Sequence, residues 1–327
     1  MILMKYSDLN NDVINNLHLI PRDIDVVIGI PRSGMVVANM IALYINKPLS
    51  DLASFLEGRV YKMGNTKNTE NEKKPFHSIK KVLVVDDSVY SGRAILEAKK
   101  TIEESALPIE FVFLAAYVRS ETRKLVDIYF KVIDEQRVFE WNYMHHKSLE
   151  RACVDIDGVL CVDPTDEEND DGEKYIEFIK NAPPKLIPTR KIGYLVSSRL
   201  EKYRKETEEW LRNNGIQYGK LILMDVNSAE ERRKNNNHGE YKAQIYKELH
   251  SSVWFIESNQ AQARTISQIT GKFVYCVDTQ ECFCEGSVTR AKNRIKQVYG
   301  RRIKKKIVSI LPLRLINLLR KIKGKAK

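Results

Sequence analysis

The sequence predicts an α/β protein of two doubly wound domains with mainly parallel sheets, followed by a C-terminal amphipathic helical tail. Three observations predict it. Short β-branched, apolar runs alternate with stretches of helical period. That alternation occurs as two successive series, and the positive charge is concentrated at one end. With 327 residues, 43% of them apolar, the chain has enough material for about two globular domains. Disorder and collagen-like repeats are excluded.

Buried-strand runs fall at residues 26–30, 82–85, 111–116, 152–155, 192–196, 221–224, 253–256 and 273–277. Most lead into amphipathic helical stretches, including 36–44, 93–105, 200–214 and 241–249. Strand and helix alternating in this way imply parallel sheets covered on both faces. The break between the two series, near 145–150, sets the expected domains at 1–147 and 148–287, with the tail at 288–327. Residues 58–74, rich in Gly, Asn, Thr and charge, and residues 163–173, with seven acids among eleven, read as solvated surface loops or as lids over a site.

The net charge of +11 resembles a nucleic-acid-binding signature until it is located. Residues 288–327 hold 15 Lys or Arg and no acid, which leaves a mildly acidic body. Five cysteines, Cys153, Cys161, Cys276, Cys282 and Cys284, are an odd number in a chain that needs no staples. A reducing, cytoplasmic setting is expected. No basic-then-apolar leader opens the sequence, and no run approaches the roughly 20 apolar residues of a membrane span.

The strand at 82–85 runs into Asp86-Asp87-Ser88-Val89-Tyr90-Ser91-Gly92 and then a helix. Successive amides ahead of a helix N-terminus form a phosphate cradle. Two adjacent carboxylates at a strand end can accept hydrogen bonds from a vicinal diol, and diol beside phosphate describes a ribose 5-phosphate. The segment resembles the PRPP-binding motif of type I phosphoribosyltransferases. That resemblance implies that Asp86 and Asp87 hold the ribose hydroxyls and that Ser88, Val89, Tyr90, Ser91 and Gly92 hold the 5-phosphate. Upstream, Gly29-Ile30-Pro31-Arg32-Ser33-Gly34 is similar to the family's pyrophosphate loop, where Arg32, Ser33, Gly34 and neighbouring amides would neutralise the leaving diphosphate. The family displaces pyrophosphate from C1 with inversion, usually with Mg2+ on the diphosphate and a flexible loop over the site, a place that 58–74 would fill. No nucleobase-specificity segment is recognisable. Instead Phe139, Glu140, Trp141, Tyr143, His145 and His146 crowd into one stretch, either a sugar-acceptor site or a strand edge with a linker. In the first case Trp141, His145 and His146 bind the acceptor, and Glu140 or a histidine takes its proton.

In the second series, Asp155-Ile156-Asp157-Gly158 follows the strand at 152–155. Carboxylates two residues apart lie on one side of an extended chain. One can attack phosphorus while the other moves a proton. The segment resembles motif I of the haloacid dehalogenase (HAD) superfamily, with Asp155 as nucleophile and Asp157 as acid/base. Ser197, ending the strand at 192–196, matches motif II, and Lys242, placed at a helix start, matches the motif III lysine. Glu257-Ser258-Asn259 resembles motif IV but offers one acid where the family commonly has two. Magnesium would rest on Asp155, the Asp157 carbonyl and Glu257. The intervals between these motifs have no room for a full cap, so by analogy the site is open to large substrates. The expected architecture is therefore a phosphoribosyltransferase-like domain followed by a HAD-like Rossmannoid domain with a minimal cap.

In the tail, Ile303, Ile307, Ile310 and Leu311 form one helical face, as do Leu315, Leu318, Leu319 and Ile322 after Pro312. Flanking Lys and Arg suit an anionic membrane surface. Nucleic acid is the weaker candidate, since Tyr299 is the tail's one aromatic; docking on the protein itself is the third. Together the motifs predict transfer of 5-phosphoribose from PRPP to a glycan hydroxyl, on a lipid carrier at the inner face of the cytoplasmic membrane. Removal of the 5-phosphate would leave a β-ribofuranosyl residue. This order of domains resembles bifunctional phosphoribosyltransferase–phosphatase proteins of bacterial polysaccharide biosynthesis. The alternatives are a nucleobase phosphoribosyltransferase fused to a nucleotidase and a PRPP-sensing RNA-binding regulator.

Overall fold

The computed structural model describes residues 2–61, 75–225 and 238–284. The tail and most of the 58–74 loop lie outside the described residues. The chain divides into two compact units, Met1–Tyr143 and Met144–Lys327.

The first unit contains β1 (Ile2–Met4), α1 (Tyr6–Asn16), β2 (Val26–Gly29), α2 (Gly34–Ile45), β3 (Leu49–Asp51), α3 (Leu52–Leu56), β4 (Lys81–Val89), α4 (Arg93–Glu104), β5 (Glu110–Val118), β6 (Ile128–Val132) and β7 (Arg137–Phe139). Its main sheet has the order β3-β2-β4-β5-β6, parallel throughout. Period-2 alternation sorts the strand side chains into two cores. Val27, Leu83, Val85 and Leu114 pack with Leu9 and Val13 of α1 and with Val37 and Ile41 of α2. Val26, Ile28, Val82, Val84 and Phe113 pack with Phe55 of α3 and with Ile95, Ala98 and Ile102 of α4. Each fully buried aliphatic side chain is worth about 1.5–3 kcal/mol relative to exposure, which is why these strands read as unbroken apolar runs. β1 and β7 form a separate two-stranded parallel ribbon.

The second unit contains β8 (Ala152–Val154), α5 (Glu173–Asn181), β9 (Ile192–Leu200), α6 (Arg204–Asn213), β10 (Tyr218–Met224), α7 (His238–Glu248), β11 (Trp254–Glu257), α8 (Gln260–Thr270), β12 (Val274–Cys276) and β13 (Glu281–Phe283). The sheet order is β10-β9-β8-β11-β12-β13, parallel except for the β12–β13 edge pair. Cys153, Val196, Phe255 and Val274 pack against Ala243 and Tyr246 of α7 and against Ala263 and Ile266 of α8. All five cysteines are free thiols.

In each sheet the chain reverses its direction of travel between two neighbouring strands. From β2 it proceeds to β3 on one side, whereas β4 returns to the other side of β2. From β8 it proceeds through β9 to β10, whereas β11 returns to the other side of β8. Such switch points open a crevice at the carboxyl ends of the two strands.

Candidate active sites

At the first switch point, β2 ends at Gly29 and the chain turns through Ile30, Pro31, Arg32 and Ser33 into α2. The Ile30 amide donates to the Val85 carbonyl at 2.9 Å, tying this turn to the end of β4. Gly34 opens α2 hard against that end: a Cβ there would lie 2.8 Å from the Val85 oxygen and 3.1 Å from the Asp86 Cα. The absence of a side chain is what brings the two loops together. Arg32 is exposed at this rim. Gly92, at φ 82°, caps α4, and Ser91 Oγ accepts from the Arg93 amide at 3.4 Å. Tyr90 and Ser91 are exposed, while the Val89 carbonyl accepts from Thr122 Oγ1 at 2.8 Å.

Asp86 and Asp87 are each only 6% exposed. Asp86 Oδ1 accepts from the Asp87 amide at 2.9 Å, and Asp87 Oδ2 accepts from Trp141 Nε1 at 2.9 Å. Burial, then the charge of Asp87, pushes the Asp86 carboxyl up to about 8. Burial also raises Asp87, against the pull of Trp141, Asp86 and Ser33. Two desolvated acids side by side hold one proton too many for isolated carboxylates, and donors from a bound diol would relieve both.

The aromatic stretch divides among several tasks. Trp141 bonds Asp87, whereas Glu140 Oε2 accepts from the Tyr6 amide at 2.7 Å, at the N-terminus of α1. His145 and His146 belong to the second unit. There His145 Nδ1 lies 3.0 Å from Thr189 Oγ1, and His146 Nδ1 accepts from the Ser148 amide at 3.2 Å.

At the second switch point, Asp155 follows β8 and Glu257 ends β11, 5% and 0% exposed. Lys242 Nζ donates to Asp155 Oδ2 at 2.6 Å, to Glu257 Oε2 at 2.8 Å and to Gln262 Oε1 at 2.9 Å, so all three ammonium protons are used. Lys242 lies in the second turn of α7, not at the helix start that the spacing suggested. Glu257 Oε1 accepts from the amides of Ser258 and Asn259. Asp157 is held by Arg199, whose Nη2 donates to Oδ1 at 2.7 Å and whose Nε donates to Oδ2 at 3.1 Å. Arg199 and Ser197 are each 1% exposed, and Ser197 Oγ accepts from the Arg199 amide at 3.2 Å.

Burial raises the Asp155 carboxyl well above the usual range; Lys242 opposes this, while Glu257 and Asp157 add to it. Burial pulls the Lys242 ammonium down, but Asp155 and Glu257 outweigh that and hold it charged. The cleft also includes Asp163 and Asp278, so five carboxylates face Lys242 and Arg199. A surplus of anionic oxygens and no soft ligand suits Mg2+. Among the described residues no three acidic, His or Cys side chains form a ready-made cage. Asp155, the Asp157 carbonyl and Glu257 would hold the ion, with water completing its shell. The Asp157 carbonyl already accepts from Ser258 Oγ at 3.4 Å.

Residues 2–147 match the phosphoribosyl transferase domain. The match spans the first unit and the first four residues of the second. Solved structures similar to this chain include a purine phosphoribosyltransferase from Pyrococcus horikoshii Ot3, 14% identical, with TM-score 0.32, covering 43% of this chain and 92% of the other. The Helicobacter pylori xanthine-guanine-hypoxanthine phosphoribosyltransferase is 15% identical, with TM-score 0.32, covering 43% and 93%. The orotate phosphoribosyltransferase from Aeropyrum pernix is 20% identical, with TM-score 0.27, covering 38% and 67%. No curated protein matches the chain. The phosphoribosyl transferase match stops at residue 147, so the reading of the second unit rests on its own residues.

Sequence reasoning missed Arg137, Arg199 and Gln262. Arg199 stands two residues after Ser197, on the same side of β9, a signal that could have joined it to the motif. Arg137 and Gln262 carry no local signal, since their partners lie on other strands and helices.

Proposed function

We propose that the chain transfers 5-phosphoribose from PRPP to a glycan hydroxyl and then removes the 5-phosphate. The supporting observation is the pairing, in one chain, of two switch-point crevices with complementary chemistry. One presents a buried diacid beside a loop and helix start; the other presents a buried carboxylate bonded to a lysine.

In the first crevice, Asp86 and Asp87 accept from the ribose hydroxyls, while the loop at 88–92 and the start of α4 receive the 5-phosphate. Arg32, Ser33 and Gly34 hold the diphosphate. The acceptor oxygen attacks C1, the bond from C1 to the diphosphate oxygen breaks with inversion, and the hydroxyl proton passes to a base. Mg2+, when bound, neutralises charge on the diphosphate and, in the second crevice, on the phosphoryl group.

There Asp155 attacks phosphorus, the bond from phosphorus to the ribosyl O5 breaks, and Asp157 supplies the proton to that oxygen. Water then attacks the phosphoaspartate, gives its proton to Asp157, and phosphate leaves. Lys242, bonded to Asp155, favours its ionised form against the effect of burial, and Ser197 bonds the phosphoryl oxygen. The product is a β-ribofuranosyl residue. Among the described residues no helix is long and apolar enough to cross a membrane. Attachment of the basic tail to an anionic surface would place the enzyme beside a lipid-linked acceptor.

The test is to incubate the full chain with PRPP, Mg2+ and either membrane glycolipid or nucleobases and to follow product mass. Ribosylated glycolipid is expected, and the Asp155→Asn protein should stop at the phosphoribosyl form. Nucleotide or nucleoside as the sole product would overturn the assignment.

A further inference from the structure

Tyr90, half exposed in the loop after β4, is flanked by two guanidinium groups. The Arg119 Cζ lies 5.0 Å from its ring centroid and the Arg137 Cζ 5.3 Å. Arg119 follows the end of β5, and Arg137 opens β7.

The hydrogen bonds around this ring leave only donors unspent. Arg137 is 4% exposed; its Nη2 and Nε both donate to Ser88 Oγ, at 2.7 and 3.2 Å, and its Nη1 donates to the Ile133 carbonyl at 2.8 Å. A hydroxyl oxygen has two lone pairs, and Arg137 fills both, so Ser88 can act toward a ligand only as an O–H donor. That O–H meets no acceptor among the described residues. Arg119 Nε is buried and likewise has no partner among them. Buried donors without acceptors are costly, and two cations held about one ring repel each other.

The nearby carboxylates are already engaged. Asp87 accepts from Trp141, Asp134 accepts from the Ser120 amide and hydroxyl, and the exposed Glu121 pairs with Arg119 Nη1 at 3.2 Å. None reaches Arg119 Nε or the Ser88 hydroxyl.

The sheet order says which part of a ternary complex meets these donors. The diphosphate loop follows β2, the diacid ends β4, and Arg119 follows β5 on the far side of β4. Displacement with inversion brings the acceptor in opposite the leaving group, which is the β5 side. We infer that Ser88, Arg119 and Arg137 form a donor-only subsite for an acceptor sugar that carries an anionic group, a carboxylate such as that of a uronic acid. Arg119 and the Ser88 hydroxyl contact the carboxylate oxygens, while Arg137 is a positioning residue that commits Ser88 to donate. This rests on the first crevice binding PRPP, as proposed above.

The 5-phosphate of PRPP is the other anion that could meet these donors, so the test separates the two. PRPP binding to the full chain is measured by calorimetry with Mg2+. Saturation-transfer NMR on the PRPP complex then compares methyl β-glucuronide with methyl β-glucoside. The expected result is at least about tenfold preference for the glucuronide, as loss of a charge-assisted pair implies. That preference should disappear in Arg119→Ala, with PRPP affinity falling far less. In Arg137→Lys, which keeps the charge but not the fork, the preference should also drop. Equal binding of the two glycosides overturns the inference. So does a loss of PRPP affinity in Arg119→Ala as large as the loss for glucuronide, which would assign the donors to the 5-phosphate. If wild-type protein binds no PRPP, the failure lies instead with the phosphoribosyl-transfer reading.

Discussion

Trp141 Nε1 donates to Asp87 Oδ2 at 2.9 Å, from a ring that packs against two other aromatic rings. Phe139 stacks on it with centroids 4.7 Å apart, and Tyr6 tilts against it at 5.3 Å. An acidic strand end in β4 is thus oriented by a side chain 54 positions later in the chain. Trp141→Phe keeps most of the packing and removes the donor. It should cost about 1–3 kcal/mol in urea unfolding, and calorimetry should show weaker PRPP binding. An unchanged PRPP affinity would separate Trp141 from the ligand site.

Asp86 carries a stability penalty at neutral pH. Its carboxyl is raised to about 8 by burial and by Asp87, against about 4 in an unfolded chain. The folded state binds the extra proton between those values, so this contribution is full below about 4 and is lost as pH rises toward about 8, at no more than about 1.4 kcal/mol per pH unit. Asp86→Asn should flatten that slope and raise the melting temperature at pH 8 while abolishing PRPP binding. A variant with an unaltered pH–stability profile would contradict the assignment.

The Lys242 network makes opposite predictions for its two ends. Lys242→Met leaves Asp155 and Glu257 buried without their cation and should cost about 3–5 kcal/mol. Asp155→Asn removes one of the two repelling acids and should be close to neutral in stability, yet phosphatase activity should vanish. Chemical denaturation beside hydrolysis of ribose 5-phosphate reads both. Loss of folding in Asp155→Asn comparable to Lys242→Met would contradict this account.

Arg199 grips Asp157 through two nitrogens from a fully buried position. Arg199→Lys retains a charge but not the fork, so kcat for phosphate release should fall about 10- to 100-fold with a smaller change in KM. A pure KM effect would place Arg199 on the substrate, not on the acid/base.

The basic tail is tested by flotation with liposomes containing anionic lipid. Full-length protein should float and a chain ending at residue 287 should not, with binding reduced as salt rises. Equal flotation of both removes the tail from membrane attachment.

The central strands were legible because burial on both faces demands continuous apolar runs, as in 82–85 and 192–196. The peripheral β1, β3 and β6 were not, and β7 was read as a strand edge in only one of two alternatives, since three to five residues at a sheet edge or in a ribbon leave little period to read. Residues 200–214 looked like one helix, but Leu200 ends β9 and a 3₁₀ turn at Glu201–Tyr203 precedes α6. The amphipathic period continues through that turn, which is why the pattern alone joined them.

By itself the sequence determined two α/β units and their acidic strand ends, because strand periodicity, adjacent acids and glycine spacing are local properties of the chain. Only the tertiary structure decided which groups answer those acids. Lys242 meets Asp155 across 87 positions, Arg199 meets Asp157 across 42, and Arg137 meets Ser88 across 49. Such pairings follow from strand order and helix packing, and a buried charge finds its partner through the fold, not along the chain.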